Sequence, residues 1–241
     1  MELKSVIYWK LVYPILLRMD KYRGLDFLAE ISPEELDFDL ERAHGYGPSG
    51  KKFLQEVVSD FSISSTDSII DVGCGKGSAM KYLLEFPFAR VDGVELSARI
   101  ADIATQNFLR MKENRCKVFT GDAGNFKQFD DYNYIYFYNP FPPIVMSEVI
   151  ANLKESLLRT DREIVIIYMS PTCNNVITES GVFARVGIYH KNGAWITVYS
   201  NRSEDKSVLS ANKKMQHSVD GSSLDDSLKT YLKNYVLKEY K

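Results

Sequence analysis

Between residues 62 and 200, short β-branched and aromatic runs alternate with stretches of helical periodicity, an order that restricts the chain to a parallel sheet with helices on both faces. Residues 68–72 (SIIDV), 90–95 (RVDGVE), 117–120, 134–138 (YIYFY) and 163–169 (EIVIIYM) read as strands, the last with so little polar interruption that it is expected to be buried on both faces. Helical patterns fill the gaps at 76–85, from a Ser97 cap to about 112, and at 145–158. A further one at 49–60 places Phe53, Leu54, Val57 and Val58 on one face and is expected to cover the sheet edge near a ligand. The pattern then changes. Residues 183–190 and 194–200 are two strands joined by Lys191-Asn192-Gly193, and so short a link containing Asn-Gly predicts an antiparallel hairpin. The expected fold class is therefore α/β, with seven strands, mostly parallel, closed by an antiparallel C-terminal hairpin.

The 241 residues, 45% hydrophobic and 26% charged, suffice for one substantial core and are short for two. The division expected is an N-terminal helical extension over 1–45, the α/β domain over 46–200, and a polar loop and C-terminal helix over 201–241. A formal net charge of -2 gives no general basic field, so nothing signals nucleic acid as partner. Cys74, Cys116 and Cys173 are widely spaced, without a CxxC pair, which argues against a disulfide framework or a zinc site and for a reducing, cytoplasmic location with no metal. The apolar run at 6–17 (VIYWKLVYPILL) is interrupted by Lys10 and Pro14 and falls short of the roughly 20 residues of a spanning helix. It reads as a helix packed on the domain or on a partner protein. A peripheral membrane contact through Tyr8, Trp9 and Tyr13 is the alternative.

Asp71-Val72-Gly73-Cys74-Gly75-Lys76-Gly77 stands where the first strand hands over to a helix, the place at which open α/β sheets bind ligands. Gly73 and Gly75 can adopt turn geometries closed to residues with a Cβ and can expose bare backbone, so several loop amides are expected to face the ligand. A dinucleotide site would want G-x-G-x-x-G, whose third glycine falls on Ser78, and Asp71 would be a poor neighbour for a pyrophosphate. S-adenosylmethionine, with an ammonium and a sulfonium, suits that carboxylate better. Glu95, at the end of the second strand, could accept from both ribose hydroxyls; Asp122 could accept from an adenine amino group, with the Ala123 amide offered to the ring.

DVGCGKG, then GVELS at 93–97, then GDA at 121–123, resembles the class I S-adenosylmethionine-dependent methyltransferases over about residues 46–200. The resemblance implies a Rossmann-like seven-stranded sheet whose last strand inserts antiparallel. It also implies S-adenosylmethionine as cofactor, S-adenosylhomocysteine as product, and a site in which Gly73, Gly75 and Gly77 line the methionine moiety, with Asp71 facing it, Glu95 the ribose, and Asp122 the adenine with Ala123 beside it; Cys74 and Leu96 are further cofactor-binding candidates. MDKYRGLDF from Met19, Gly45-Tyr46-Gly47-Pro48-Ser49 and Tyr138-Asn139-Pro140-Phe141 are similar to a group of bacterial methyltransferases of unassigned substrate. Tyr46, Pro48 and Ser49 are also similar to an element of small protein-lysine methyltransferases.

Asn139-Pro140-Phe141-Pro142 closes the fourth strand. Amino-group methyltransferases often carry N-P-P-Y or N-P-P-F there, with the Asn accepting from the target nitrogen and the aromatic ring packing against it; here Phe141 takes the place of the second proline. Asn139 is thus the candidate catalytic residue, also facing the cofactor, and Tyr46 the candidate lid. His44 and His190 are candidates for a general base, and the aromatic run at 132–138 reads as core packing. The expected function is methyl transfer to an unidentified acceptor, a protein lysine or another amine, or else a small metabolite methylated on oxygen or nitrogen. The rival classes are an NAD(P)-dependent oxidoreductase and a non-catalytic S-adenosylmethionine-binding protein.

Overall fold

The structure, a computed structural model, describes residues 12–31, 41–43, 52–191 and 193–202. Its centre is a seven-stranded sheet of β1 (Ser68–Val72), β2 (Arg90–Glu95), β3 (Val118–Thr120), β4 (Tyr134–Tyr138), β5 (Val165–Met169), β6 (Ala184–Lys191) and β7 (Ala194–Ser200), in the order β3-β2-β1-β4-β5-β7-β6. The first five are mutually parallel, while β7 lies antiparallel between β5 and β6, with Ile167 opposite Val198. The chain leaves β1 toward β2 on one side and reaches β4 on the other. The strand order therefore reverses at the β1–β4 boundary, and the loops at the carboxyl ends of these two strands diverge to leave a crevice.

Both faces of the sheet are buried, which is why its strands lack a polar alternation. Ile70, Val72, Ile135, Phe137, Ile166 and Tyr168 pack on one side with Val145, Met146, Val149 and Leu153 of α5 (Pro143–Arg159). Ile69, Tyr134, Tyr136 and Ile167 pack on the other with Leu54 and Val58 of α2 (Lys52–Val58) and Met80 and Leu83 of α3 (Ser78–Leu83). The aromatic run is core, as expected: Tyr132, Tyr134, Tyr136 and Phe137 are buried, and only Tyr138, at the strand end, is half-exposed.

α4 (Ala98–Met111) starts where Ser97 accepts from the Ile100 amide at 3.0 Å and stops where Lys112 turns into the left-handed region at φ 55°. α3 begins two residues later than the periodicity suggests, because Lys76 and Gly77 belong to the glycine loop and Gly77, at φ 86°, cannot continue a helix backward. The short helix α6 (Asn174–Thr178) was not anticipated. No helix among the described residues is long and apolar enough to cross a membrane.

The expected N-terminal extension is, over its described part, packed on the domain. After α1 (Tyr13–Tyr22) the chain turns at Gly24 and lays Leu25 to Ala29 against the glycine loop, with Phe27 buried edge-on to Phe108 at 5.8 Å. Residues 44–51, with Tyr46, Pro48, Ser49 and the candidate base His44, and residues 203–241 lie outside the described residues.

Candidate functional site

Three strand ends bring most of the candidate residues together. Asp71 and Val72 close β1, Glu95 closes β2, and Asn139 follows β4 directly. Gly73 and the Asn139-Pro140 turn are in contact: a Cβ built on Gly73 would lie 2.4 Å from the Pro140 Cβ, and the Gly73 φ is +86°. Both facts demand glycine at this position. The same contact joins the candidate cofactor loop to the candidate acceptor turn.

The loop amides do not face outward as expected. Gly73 and Cys74 both donate to the Val94 carbonyl, at 2.8 and 3.0 Å, Gly75 donates to Glu95 Oε2 at 2.9 Å, and Gly77 donates to the Cys74 carbonyl at 2.9 Å. These donors are taken up by β2 and, for Gly77, within the turn, so a ligand here meets glycine methylenes and carboxylates. Two further loop residues are closely packed. Cys74 is buried with its sulfur against Gly93, where an added Cβ would come within 2.5 Å, and burial pushes its thiol well up. Gly77 is held against Phe108, whose ring would lie 2.6 Å from an added Cβ. Neither Gly93 nor Gly77 has room for a larger residue.

Asp71 is the electrostatic centre. It is 2% exposed and its Oδ2 has no hydrogen-bond partner among the described residues. Burial first, and the neighbouring Glu95 carboxylate second, push its carboxyl well above the usual carboxylate range. An unsatisfied buried carboxyl oxygen is costly, and a cationic group is what would relieve it. Glu95 is built differently: Oε2 accepts from the Gly75 amide at 2.9 Å and Oε1 from the Ser97 amide at 3.0 Å, so its carboxylate is held in place at the strand end. That pattern fits a ribose diol. Leu96 follows half-buried.

Asp122 caps a 3-10 turn at Ala123–Asn125 through the Gly124 amide at 2.8 Å, and Ala123 is buried behind it. Its other oxygen is taken by Arg42, whose Nε and Nη2 donate to Oδ2 at 2.9 and 2.7 Å. Arg42 Nη2 also donates to Glu148 Oε2 of α5 at 2.6 Å, and the two carboxylates, Glu148 before Asp122, raise its pKa. The sequence did not single out Arg42, since a lone arginine ahead of the domain carries no signal. All three side chains keep a share of solvent, so Arg42→Ala is expected to cost under about 1 kcal/mol, with the difference from the parent vanishing at high salt in thermal melts.

Lys76 is a second residue that sequence reasoning passed over. Its side chain is 2% exposed; Nζ donates to both Asp26 oxygens at 2.8 Å and to the Ala29 carbonyl at 2.9 Å. Asn107 ties the same pieces together, donating to the Asp26 and Lys76 carbonyls and accepting from the Asp26 amide. The available signal was a lysine inside a glycine loop, flanked by residues too small to shield it. Such a cation needs a partner from elsewhere in the chain.

On the acceptor side, Asn139 holds φ 39° and its Oδ1 accepts from Thr172 Oγ1 and, at 3.4 Å, from the Tyr168 hydroxyl. Ser170, directly after β5, is like Lys112 and Asn139 a non-glycine residue at positive φ, 51°. Backbone strain thus sits at two adjacent strand ends. Phe141, which stands where the amino-group motif has its second proline, is 3% exposed in the core, 5.9 Å from Phe137, because α5 starts at once and swings the ring beneath the sheet. His190 stacks on Trp195 at 4.1 Å on the outermost strand β6, with β5 and β7 between it and the Asn139 turn.

Residues 69–159 match a family model described as a methyltransferase domain. No curated protein matches the chain. Solved structures share the fold at low identity. An Escherichia coli protein provisionally described as a methyltransferase, yhhF, superposes with a TM-score of 0.53 at 16% identity, covering 64% of this chain and 88% of that one. The Bacillus subtilis tRNA methyltransferase TrmK, described as acting at M1A22, gives 0.51 at 15% identity, covering 63% and 66%. A point mutant of MtNAS gives 0.48 at 19% identity, and the match spans 61% of this chain but only 57% of that protein.

Proposed function

We propose that this chain, whose residues 69–159 match a methyltransferase-domain model, is an active S-adenosylmethionine-dependent enzyme that methylates a nucleophilic acceptor. The observation that carries the reading is Asp71, a buried carboxyl group with one oxygen unpartnered among the described residues, beside a glycine loop at the sheet's switch point. S-adenosylmethionine fits this donor set: its cationic methionine end toward Asp71, its ribose hydroxyls on Glu95, its adenine near Asp122 and Ala123. A nicotinamide dinucleotide fits poorly, since the amides of Gly73, Cys74, Gly75 and Gly77 are already committed and the carboxylates would repel a pyrophosphate.

When bound, the sulfonium supplies a methyl group that is already activated. What remains for the chain is alignment and exclusion of water. The Gly73–Pro140 contact fixes the distance between the cofactor loop and the turn bearing Asn139, and Leu25 to Ala29, locked by Lys76, brace the loop from behind. Asn139 is the proposed contact for the acceptor, a lysine side chain or another amine. Its Oδ1 already takes two hydrogen bonds, from Thr172 and Tyr168, so an amine would displace one of them. That favours a second reading to be tested beside the first, a small metabolite methylated on oxygen or nitrogen without the Asn139 oxygen.

Calorimetric titration with S-adenosylmethionine, S-adenosylhomocysteine and NAD tests the cofactor. Micromolar binding of the two sulfur compounds is expected, weakened about tenfold or more in Glu95→Ala, with no NAD binding. NAD binding without the sulfur compounds would sink the proposal. Labelled-methyl transfer onto fractionated lysate then separates protein from small-molecule acceptors.

A further inference from the structure

The outer face of α1 is apolar where nothing in the domain requires it. Val12, Ile15, Met19 and Tyr22 are spaced three, four and three residues apart, so they form one stripe along the helix, and they are 40%, 56%, 45% and 94% exposed. Ile15, Met19 and Tyr22 line a groove with Arg18 and Arg23. Lys21 is exposed as well, and Arg110 of α4 reaches over to donate to the Gly24 carbonyl at the end of the helix.

The charges on this helix are sorted by sign. Its single acid, Asp20, is 8% exposed and turned inward, accepting from the Phe27 amide at 3.3 Å and lying 3.8 Å from Lys81. Every charged side chain it shows to solvent is a cation, on a protein whose formal net charge is -2. Tyr13, an aromatic that the sequence put forward for a membrane contact, faces the domain instead, with its hydroxyl donating to the Leu28 carbonyl at 2.7 Å.

We infer that α1 lies in the plane of an anionic lipid surface, its Val12-Ile15-Met19-Tyr22 stripe in the headgroup boundary and Arg18, Lys21 and Arg23 on lipid phosphates. The sorting of charge is the argument. An acidic lipid surface is complementary to a stripe flanked only by cations, and Tyr22 at the helix end is the amphipathic ring such an interface accepts. A second copy of the same basic face would be repelled by it.

Co-sedimentation of the full chain tests this, with vesicles of phosphatidylglycerol and phosphatidylcholine against vesicles of phosphatidylcholine alone. Binding only to the anionic vesicles is expected, falling about fivefold for each cation removed in Arg18→Ser and Arg23→Ser and fading with added salt. Ile15→Ser with Tyr22→Ser, both solvent-facing and therefore expected to keep the parent melting temperature, should lower it about tenfold. Absence of binding to the anionic vesicles, or binding that neither pair of substitutions reduces, would overturn the inference. So would a concentration-dependent dimer that Ile15→Ser with Tyr22→Ser abolishes, which would make the face a contact between copies.

Discussion

Asp71→Asn is expected to weaken S-adenosylmethionine binding ten- to a hundredfold while the melting temperature of the protein without ligand stays within a few degrees of the parent. The loss follows from removing a charged partner of a cationic group in a water-poor site, worth about 1.5–3 kcal/mol. The spared stability follows from the cost of the native carboxyl, buried with one oxygen unbonded among the described residues. Sign matters for the pH dependence. A carboxyl whose folded pKa is raised keeps its proton in the folded chain at pH values where the unfolded chain has released it. Stability is therefore highest in acid as far as this group is concerned, and it declines as pH climbs from the ordinary carboxylate range to the raised value. Affinity for the cation runs the opposite way, rising with pH across that window as the charged form becomes cheap to reach. Binding below the raised pKa should release a proton, seen as a difference in calorimetric heat between buffers of unlike ionisation enthalpy. Asp71→Asn should abolish that difference. An unchanged affinity in Asp71→Asn would remove Asp71 from the site.

The second large effect is expected at Gly73. In Gly73→Ala the backbone must hold φ +86°, at about 1–2 kcal/mol, and a methyl group must find room 2.4 Å from the Pro140 Cβ. Both partners are backbone-anchored, so relief means separating the glycine loop from the Asn139 turn. A total loss of about 3–4 kcal/mol, near 10 °C in melting temperature, should come with a steep fall in methyl transfer. Gly193→Ala is the comparison. It has φ +80° with no described residue within 4 Å of the added Cβ, so it should show the backbone cost alone. If the two variants melt alike, the Gly73–Pro140 approach is not tight in solution.

The sheet was legible because a doubly buried strand has a composition that little else produces. YIYFY and EIVIIYM announce themselves, and Asn-Gly in a three-residue link names a hairpin; the β4 and β7 boundaries agree to the residue. The positions of the glycine loop and of Asp71 and Glu95 at their strand ends were legible for a related reason, since a strand's end fixes where its last residues stand. What escaped were contacts made at long range. Lys76 meets Asp26 across fifty residues and Arg42 meets Asp122 across eighty, and no local pattern encodes either pair. The inward-turned hydrogen bonding of the loop was also missed, because which carbonyl an amide finds is decided by the neighbouring strand, here Val94. Phe141 shows the limit of motif reading. One residue changed between two prolines lets the ring be drawn under the sheet by the helix that follows.

The place of β7 has a consequence for synthesis on the ribosome. The first five strands can assemble in the order in which they emerge, but β7 enters between β5 and β6 and comes after both. Until Ala194–Ser200 leaves the exit tunnel, the hydrogen-bonding edge of β5, built from Val165–Met169, has no permanent neighbour and is as sticky as any open apolar edge. Nascent chains halted before Ala194 should therefore be the ones that chaperones bind and that aggregate on release.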